Sequence, residues 1–443
     1  MDRVSPLLAV NDLTLPVLLD VALDPILLAC GGRVDPHIAR VWWWGPVQEA
    51  AALSSLGDLV EDQRDAPLDV VRRSASEVAA AHARGRARLR SCVSSHGRLD
   101  DEVRTVLVVH ALTGDSRVGG AAGWWRELVG SGCPLDPSAM RVLCVNLLGS
   151  CYGSSGPEDE GFPSRRSTRS APGDARWPLG EDLRDALPAV VTTYDQARAI
   201  AMVLTQLGVR QVDLVTGGSV GGMVAMWLAR IAQEEGISVS VVAPIASATR
   251  ADAWMLGWNH IGRALLYDAW GKGEVERRLA LQRARQVAHM TYRAPQGLDQ
   301  RQGRAQRPPG PRGWHPDRPY AVGTYLEHQG RKLCARFSPA SYVLLLEAMD
   351  HHDLCRIPGD SGVSHSLEEA VGQMRGVVAA MGIDSDQLFP PAQMEELAAL
   401  QCSLGQPATY TSLASPHGHD AFLIEFDAVA HYLRQALRLS GAA

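Results

Sequence analysis

Six short, almost uninterrupted apolar runs punctuate this chain, at residues 105–109, 142–147, 212–216, 239–245, 376–383 and 408–413, with helical patterning between most of them. A strand with one wet face alternates apolar and polar residues; a continuous apolar run belongs to a strand covered on both faces. The pattern therefore predicts an α/β fold with a mainly parallel sheet sandwiched between helices. The alternation stops between residues 251 and 367, where helical spacing takes over, as in 274–292 and 320–336. This predicts a helical lid inserted into the core, and a division into core at 1–250, lid at 251–367 and the rest of the core at 368–443. Within the lid, 294–319 is rich in Pro, Arg, Gln and Gly and is expected to be loop rather than packed structure. Residues 158–176, polar and rich in Ser and Arg, are expected on a surface loop. Early strands are only faintly marked, within 28–46. Residues 47–101 form an irregular excursion with helical spacing over 68–90.

A chain of 443 residues exceeds what one hydrophobic core usually holds, which favours a core plus a smaller insertion. Its net charge of −6, with only Lys272 and Lys332 as lysines, gives no basic footprint for nucleic acid. The apolar N-terminal stretches are interrupted by Asp2, Asp12, Asp20 and Asp24, so neither a signal peptide nor a membrane span is expected. Eight scattered cysteines without a C-x-x-C pair point to free thiols in a reducing cytoplasm.

The chemistry concentrates at Gly217-Gly218-Ser219-Val220-Gly221, a Gly-x-Ser-x-Gly pentapeptide between an apolar run and an Ala-rich helical pattern. In that context it reads as a nucleophile elbow, with Ser219 on a strained strand-to-helix turn. Gly217 and Gly221 lack the Cβ that would keep strand and helix apart. The Val220 amide would face a developing oxyanion at the helix N-terminus. A serine nucleophile needs a histidine base and an acid that orients it, and in an α/β-hydrolase these follow in the order Ser, Asp or Glu, His. Asp384 or Asp386 follows one apolar run, and His417 or His419 the next; spacing does not choose within either pair. The second oxyanion donor is expected after an early strand, at the Leu112 amide, with His110 as an ordinary hydrogen-bonded turn residue. His351-His352-Asp353 lacks metal-ligand spacing and is expected to be structural, so no metal is invoked.

At this density of motifs the chain resembles the homoserine O-acetyltransferases of the α/β-hydrolase superfamily. The resemblance rests on the elbow, His110–Asp115, Gly123-Trp124-Trp125, residues 146–157, 284–293, 325–330 and 348–353, and the segments around Asp386 and His419. It covers most of residues 105–435. It implies a triad of Ser219, Asp386 and His419, with Arg263 binding the carboxylate of L-homoserine and Asp420 its ammonium. It also implies acetyl-CoA as co-substrate, no resident cofactor, a role in methionine biosynthesis and a homodimer formed through the lid. The family usually has Met where Val220 stands, which leaves a backbone donor unchanged. The 47–101 excursion and the 294–319 segment also depart from the pattern. Succinyl-CoA as donor, serine as acceptor, or simple ester or thioester hydrolysis would use the same triad.

Overall fold

All six apolar runs become strands of one nine-stranded sheet in the computed structural model, which describes residues 16–45, 58–60, 69–92, 102–168, 185–307, 315–357 and 364–441. The strands are β1 (Val17–Leu23), β4 (His37–Trp44), β5 (Asp58–Val60), β6 (Arg104–Val109), β7 (Met140–Val145), β8 (Gln211–Gly218), β9 (Ser238–Ile245), β10 (Val377–Ile383) and β11 (Ala408–Leu413). A short ribbon of β2 (Ile26–Leu27) and β3 (Arg33–Val34) lies apart. The sheet order is β11-β10-β9-β8-β6-β7-β4-β1-β5. Neighbours from β11 through β7 run parallel, and β7, β4, β1 and β5 pair antiparallel.

The central parallel strands β6 to β10 are mostly apolar and buried because helices cover both faces, whereas the edge strand β11 is polar and partly exposed. On one side lie α2 (Thr193–Gln206) and α3 (Val220–Ile231), the latter buried along its whole length. On the other lies α11 (Phe426–Leu439), whose Val429, Tyr432, Leu433 and Ala436 join Trp125 and the opposite faces of β6 to β10 in a second apolar cluster. A capping box between Thr192 and Asp195 starts α2. α10 (Ala392–Ser403) packs on β10 and β11.

Among the described residues, five α-helices follow β9 in succession: α4 (Ala253–Ala269), α5 (Glu274–Tyr292), α6 (Pro295–Gln302), α7 (Ala321–Cys334) and α8 (Pro339–Asp350). The short α9 (Leu367–Gly372) then leads back into β10. α5 packs between α4 and α7, while α8 is buried over most of its length.

Of the two loop expectations, that for 294–319 needs correction, while 158–168 is a surface loop with two anchored charges. Residues 294–319 contain α6, which begins with Pro295 at a position that needs no amide donor. α6 is packed rather than free, since a Cβ on Gly297 would run into the Pro416 carbonyl. Residues 308–314 lie outside the described residues. In 158–176, Asp159 and Arg165 are not simply exposed. Asp159 takes a two-pronged contact from Arg73, at 2.8 and 2.7 Å, and Arg165 pairs with Glu347 of α8. Residues 169–176 are outside the described set. Of the 47–101 excursion, β5 and residues 69–92 are described; they include α1 (Ala75–Cys92), and the remainder lies outside.

Candidate active site

Ser219 sits between β8 and α3 with φ 59° and ψ −128°, a left-handed backbone that a residue with a Cβ adopts only under constraint. The constraint is visible on each side. Its amide donates to the Ile245 carbonyl at 2.9 Å, and its carbonyl accepts from the Ser247 hydroxyl at 2.9 Å. A Cβ on Gly217 would lie 2.5 Å from the Val109 carbonyl oxygen, and one on Gly221 would strike the same oxygen. The strand, the turn and the helix can therefore close on one another only through those two glycines. Val220 opens α3, where its N–H has no intrahelical acceptor.

Leu112 lies in the turn just after β6, closed by a Gly114 amide to Ala111 carbonyl bond of 2.9 Å. The neighbouring His110 is buried and satisfied at both nitrogens: Nδ1–H donates to the Ala111 carbonyl at 2.8 Å and Nε2 accepts the Leu147 amide at 3.0 Å. Burial pushes its pKa down to about 4, against a small opposing effect of the Ala111 carbonyl. His352 is held likewise, with Nε2 donating to the Ala248 carbonyl and Nδ1 facing the Thr193 hydroxyl, both at 2.9 Å, and its pKa is lowered to about 4 by burial. Both imidazoles are tied into the fold as neutral bases. Unfolded, they would take up protons at about pH 6.5 that the folded chain refuses until about pH 4. Stability should therefore fall as pH drops through that window, by up to about 2 kcal/mol per histidine at pH 5. Urea unfolding midpoints measured between pH 7 and pH 5 check this; a flat profile would contradict it.

At the same carboxyl edge of the sheet, Asp386 follows β10 and His419 follows β11. The Nδ1–H of His419 donates to Asp386 Oδ2 at 2.6 Å, with both residues buried. The other oxygen of Asp386 accepts the Leu388 and Phe389 amides at 2.8 and 3.0 Å, which fixes the carboxylate plane. Burial alone would lower the His419 pKa, but the charge and hydrogen bond of Asp386, aided by the charge of Asp420, raise it above the usual histidine value. Three rings surround the imidazole: Phe389 at 5.1 Å, Phe422 at 5.7 Å and Tyr292 at 5.8 Å between centroids. Phe422 also lies against Gly218, so close that a Cβ there would overlap the ring; it joins the elbow to the histidine loop.

The two alternatives left open by spacing make other contacts. Asp384 Oδ1 accepts the Ser415 amide at 3.0 Å, and His417 faces Glu425 at 3.8 Å. Arg263, on α4, forms an ion pair with Asp350, which also accepts from Asn259 at 2.8 Å. Asp420 forms an ion pair with Arg293 at 3.2 Å. Sequence reasoning named neither Asp350 nor Arg293 individually, although both fall inside motifs that carried the family resemblance. Tyr292 and Phe422 were missed in the same way, because a motif shows that a residue belongs without showing what it touches.

Among the described residues no cluster of three or more His, Cys, Asp or Glu side chains could hold a metal ion. No described helix is long and apolar enough to cross a membrane. A cleft of about 710 Å³ lies between Arg72, Glu158, Trp270, Glu274, Arg277 and Arg278, and no triad candidate lines it.

Residues 104–426 match the model of the alpha/beta hydrolase fold. The chain is 34% identical over 336 residues to a homoserine O-acetyltransferase of Nostoc punctiforme, covering 74% of this chain and 85% of that protein. It is 37% identical over 350 residues to the homoserine O-acetyltransferase of Thermus thermophilus, covering 74% and 80%. The chain belongs to the homoserine O-acetyltransferase family. Fold similarity alone reaches wider than the homoserine O-acetyltransferases: the crystal structure of esterase E22 superposes with a TM-score of 0.67 at 14% identity, covering 96% of this chain and all of that one. A hydrolase and an acetyltransferase family thus share this architecture.

Proposed function

We propose that this chain moves an acetyl group from acetyl-CoA to the γ-hydroxyl of L-homoserine by a ping-pong mechanism, supplying O-acetylhomoserine for methionine biosynthesis. The observation that carries the reading is the 2.6 Å contact between His419 and Asp386 on the sheet edge that also presents Ser219 in its strained turn. His419 Nε2 takes the Ser219 proton as Oγ attacks the thioester carbonyl. The oxyanion is met by the Leu112 and Val220 amides, each such donor being worth about 10²–10³ in rate. His419 then protonates the departing thiolate, leaving acetyl-Ser219. The same imidazole deprotonates the homoserine hydroxyl for attack on the acetyl group, and collapse of the second intermediate frees Ser219.

Arg263 and Asp420 would hold the two charged groups of the amino acid. Each is already pinned by an opposite charge, so each is fixed in place before substrate arrives. An arginine fork suits a carboxylate and an acceptor-only carboxylate suits an ammonium. Arg263→Ala should then weaken homoserine use more than acetyl-enzyme formation; equal losses in both half-reactions would remove Arg263 from the acceptor site. The acyl chemistry needs neutral His419, whose pKa is raised above about 6.5, with Asp386 and Asp420 the charges that raise it. Rate should therefore rise with pH through a limb above the ordinary histidine value. A kcat/KM profile for acetyl-CoA with its acid limb below pH 6 would contradict the assignment.

The helices between β9 and β10 act as a lid that excludes water from acetyl-Ser219, and they also suit a homodimer contact. Trp254 and Ile261 stand exposed on α4, seven residues apart, and Val275, Leu279 and Met290 on α5, at spacings that place them on one helical face. Small-angle scattering checks this, and a monomeric mass would sink it. Free thiols at the seven cysteines with described side chains fit a reducing cytoplasm.

The deciding assay measures CoA release from acetyl-CoA and succinyl-CoA, each with L-homoserine, L-serine or no acceptor, with products identified by mass. O-acetylhomoserine formed only with homoserine supports the proposal. Succinyl or serine preference keeps the triad and changes the product, and acceptor-independent release makes the protein a thioesterase.

A further inference from the structure

We propose that Arg293 is a positioning residue for Asp420, holding one oxygen of that carboxylate so that the other is presented to the ammonium of the acceptor amino acid. This rests on the acceptor role given to Asp420 above, and assigns the residue that makes the role possible.

Arg293 ends α5 in extended backbone at φ −115° and ψ 135°, immediately after Tyr292, whose ring lies against His419. Its Nη2 lies 3.2 Å from Asp420 Oδ2, and both side chains are more than four-fifths buried. The Nε of Arg293 is buried and has no hydrogen-bond partner among the described residues, so Asp420 supplies the counter-charge that the guanidinium meets there. A carboxylate at this depth would turn towards whatever cation or amide it could find if left alone. With Oδ2 committed to Arg293, Oδ1 keeps a defined direction.

The backbone around the pair is equally committed. Gly418 has φ 68°, and a Cβ there would lie 2.5 Å from the Ala294 amide nitrogen and 2.9 Å from the Arg293 carbonyl carbon. A Cβ on Gly297 would meet the Pro416 carbonyl. Lid residues 292–297 and the loop 416–420 are thus in backbone contact at two glycines, with the ion pair between them. This seam makes the aim of Asp420 depend on the lid, and Arg293 is the charged link.

The experiment separates the two half-reactions. Formation of acetyl-Ser219 is followed by rapid quench and intact mass, and transfer by the KM and kcat for homoserine. Arg293→Ala should raise the homoserine KM about tenfold or more while acetyl-enzyme formation stays within about threefold of wild type. Arg293→Lys should restore most of the loss, because an ammonium can also hold Oδ2. In an Asp420→Asn background, Arg293→Ala should add less than about twofold, since residues acting through one another are not additive. Equal falls in both half-reactions, an unchanged KM, no rescue by lysine, or full additivity with Asp420→Asn would each overturn the proposal. Wild-type protein that never forms acetyl-Ser219 would instead overturn the reading of the nucleophile, and this inference with it.

Discussion

Ser219→Ala is expected to yield a folded protein that forms no acetyl adduct and transfers no acetyl group. Loss of the nucleophile in comparable serine sites costs about 10⁶ in turnover. The expectation of normal folding is specific to this turn. The left-handed conformation of Ser219 is imposed by its backbone bonds to Ile245 and Ser247 and by the close approach of Gly217 and Gly221 to Val109. None of these uses the side-chain hydroxyl. Alanine keeps the same Cβ in the same backbone well, so thermal unfolding should shift by no more than about 0.5 kcal/mol equivalent, the usual scale for a change that removes no structural contact. Acetyl-CoA turnover surviving in this variant would show that another residue carries the acyl group.

Asp386→Asn is expected to cost about 10⁴ in turnover with the geometry nearly intact. The reason lies in which atoms already face Asp386. Leu388 and Phe389 both point N–H groups at Oδ1, so the amide oxygen of an asparagine would take that position and its NH₂ would be left facing His419. A donor there can be accepted by Nδ1 only if the ring proton moves to Nε2, and an imidazole protonated at Nε2 cannot accept the serine proton. The lost charge also stops raising the His419 pKa, so the residual activity should have its acid limb at lower pH than wild type. Wild-type turnover in Asp386→Asn would remove the acid from the mechanism.

Legibility of the fold followed burial. Strands β6 to β10, wrapped on both faces, are apolar enough to be read directly, and the helix Glu274–Tyr292 coincides with its expected span. The early strands were faint for a different reason. Asp20 looks like a break in an apolar run, yet it faces Arg40 across the β1–β4 ladder in a two-pronged contact at 2.8 Å on each oxygen. A charge paired across strands is invisible to any reading that takes one strand at a time. Ser219 was legible because its backbone demand is written in adjacent glycines. The choices of Asp386 over Asp384 and His419 over His417 were not legible from spacing. They depend on which side chain each loop turns inward, which is seen only in contacts such as those of Asp386 with Leu388 and Phe389 and of Asp384 with Ser415. The ion pairs of Arg263 and Asp420 were out of reach for the same reason, since Asp350 and Arg293 come from distant stretches of chain.

The place of the lid in the chain order bears on how the enzyme is made. Ser219 is synthesised before the helices at 253–350, and Asp386 and His419 only after them. A ribosome that has just released the helices at 253–350 has therefore built the proposed nucleophile without its proposed base. It has also left β9 with an open apolar edge that β10 must cover. β10 closes that edge, and the loop after β11 then brings His419, the proposed proton acceptor. A nascent chain that stalls in between should be inert towards acyl donors and prone to stick to its neighbours, because the buried apolar strand β9 still lacks its cover.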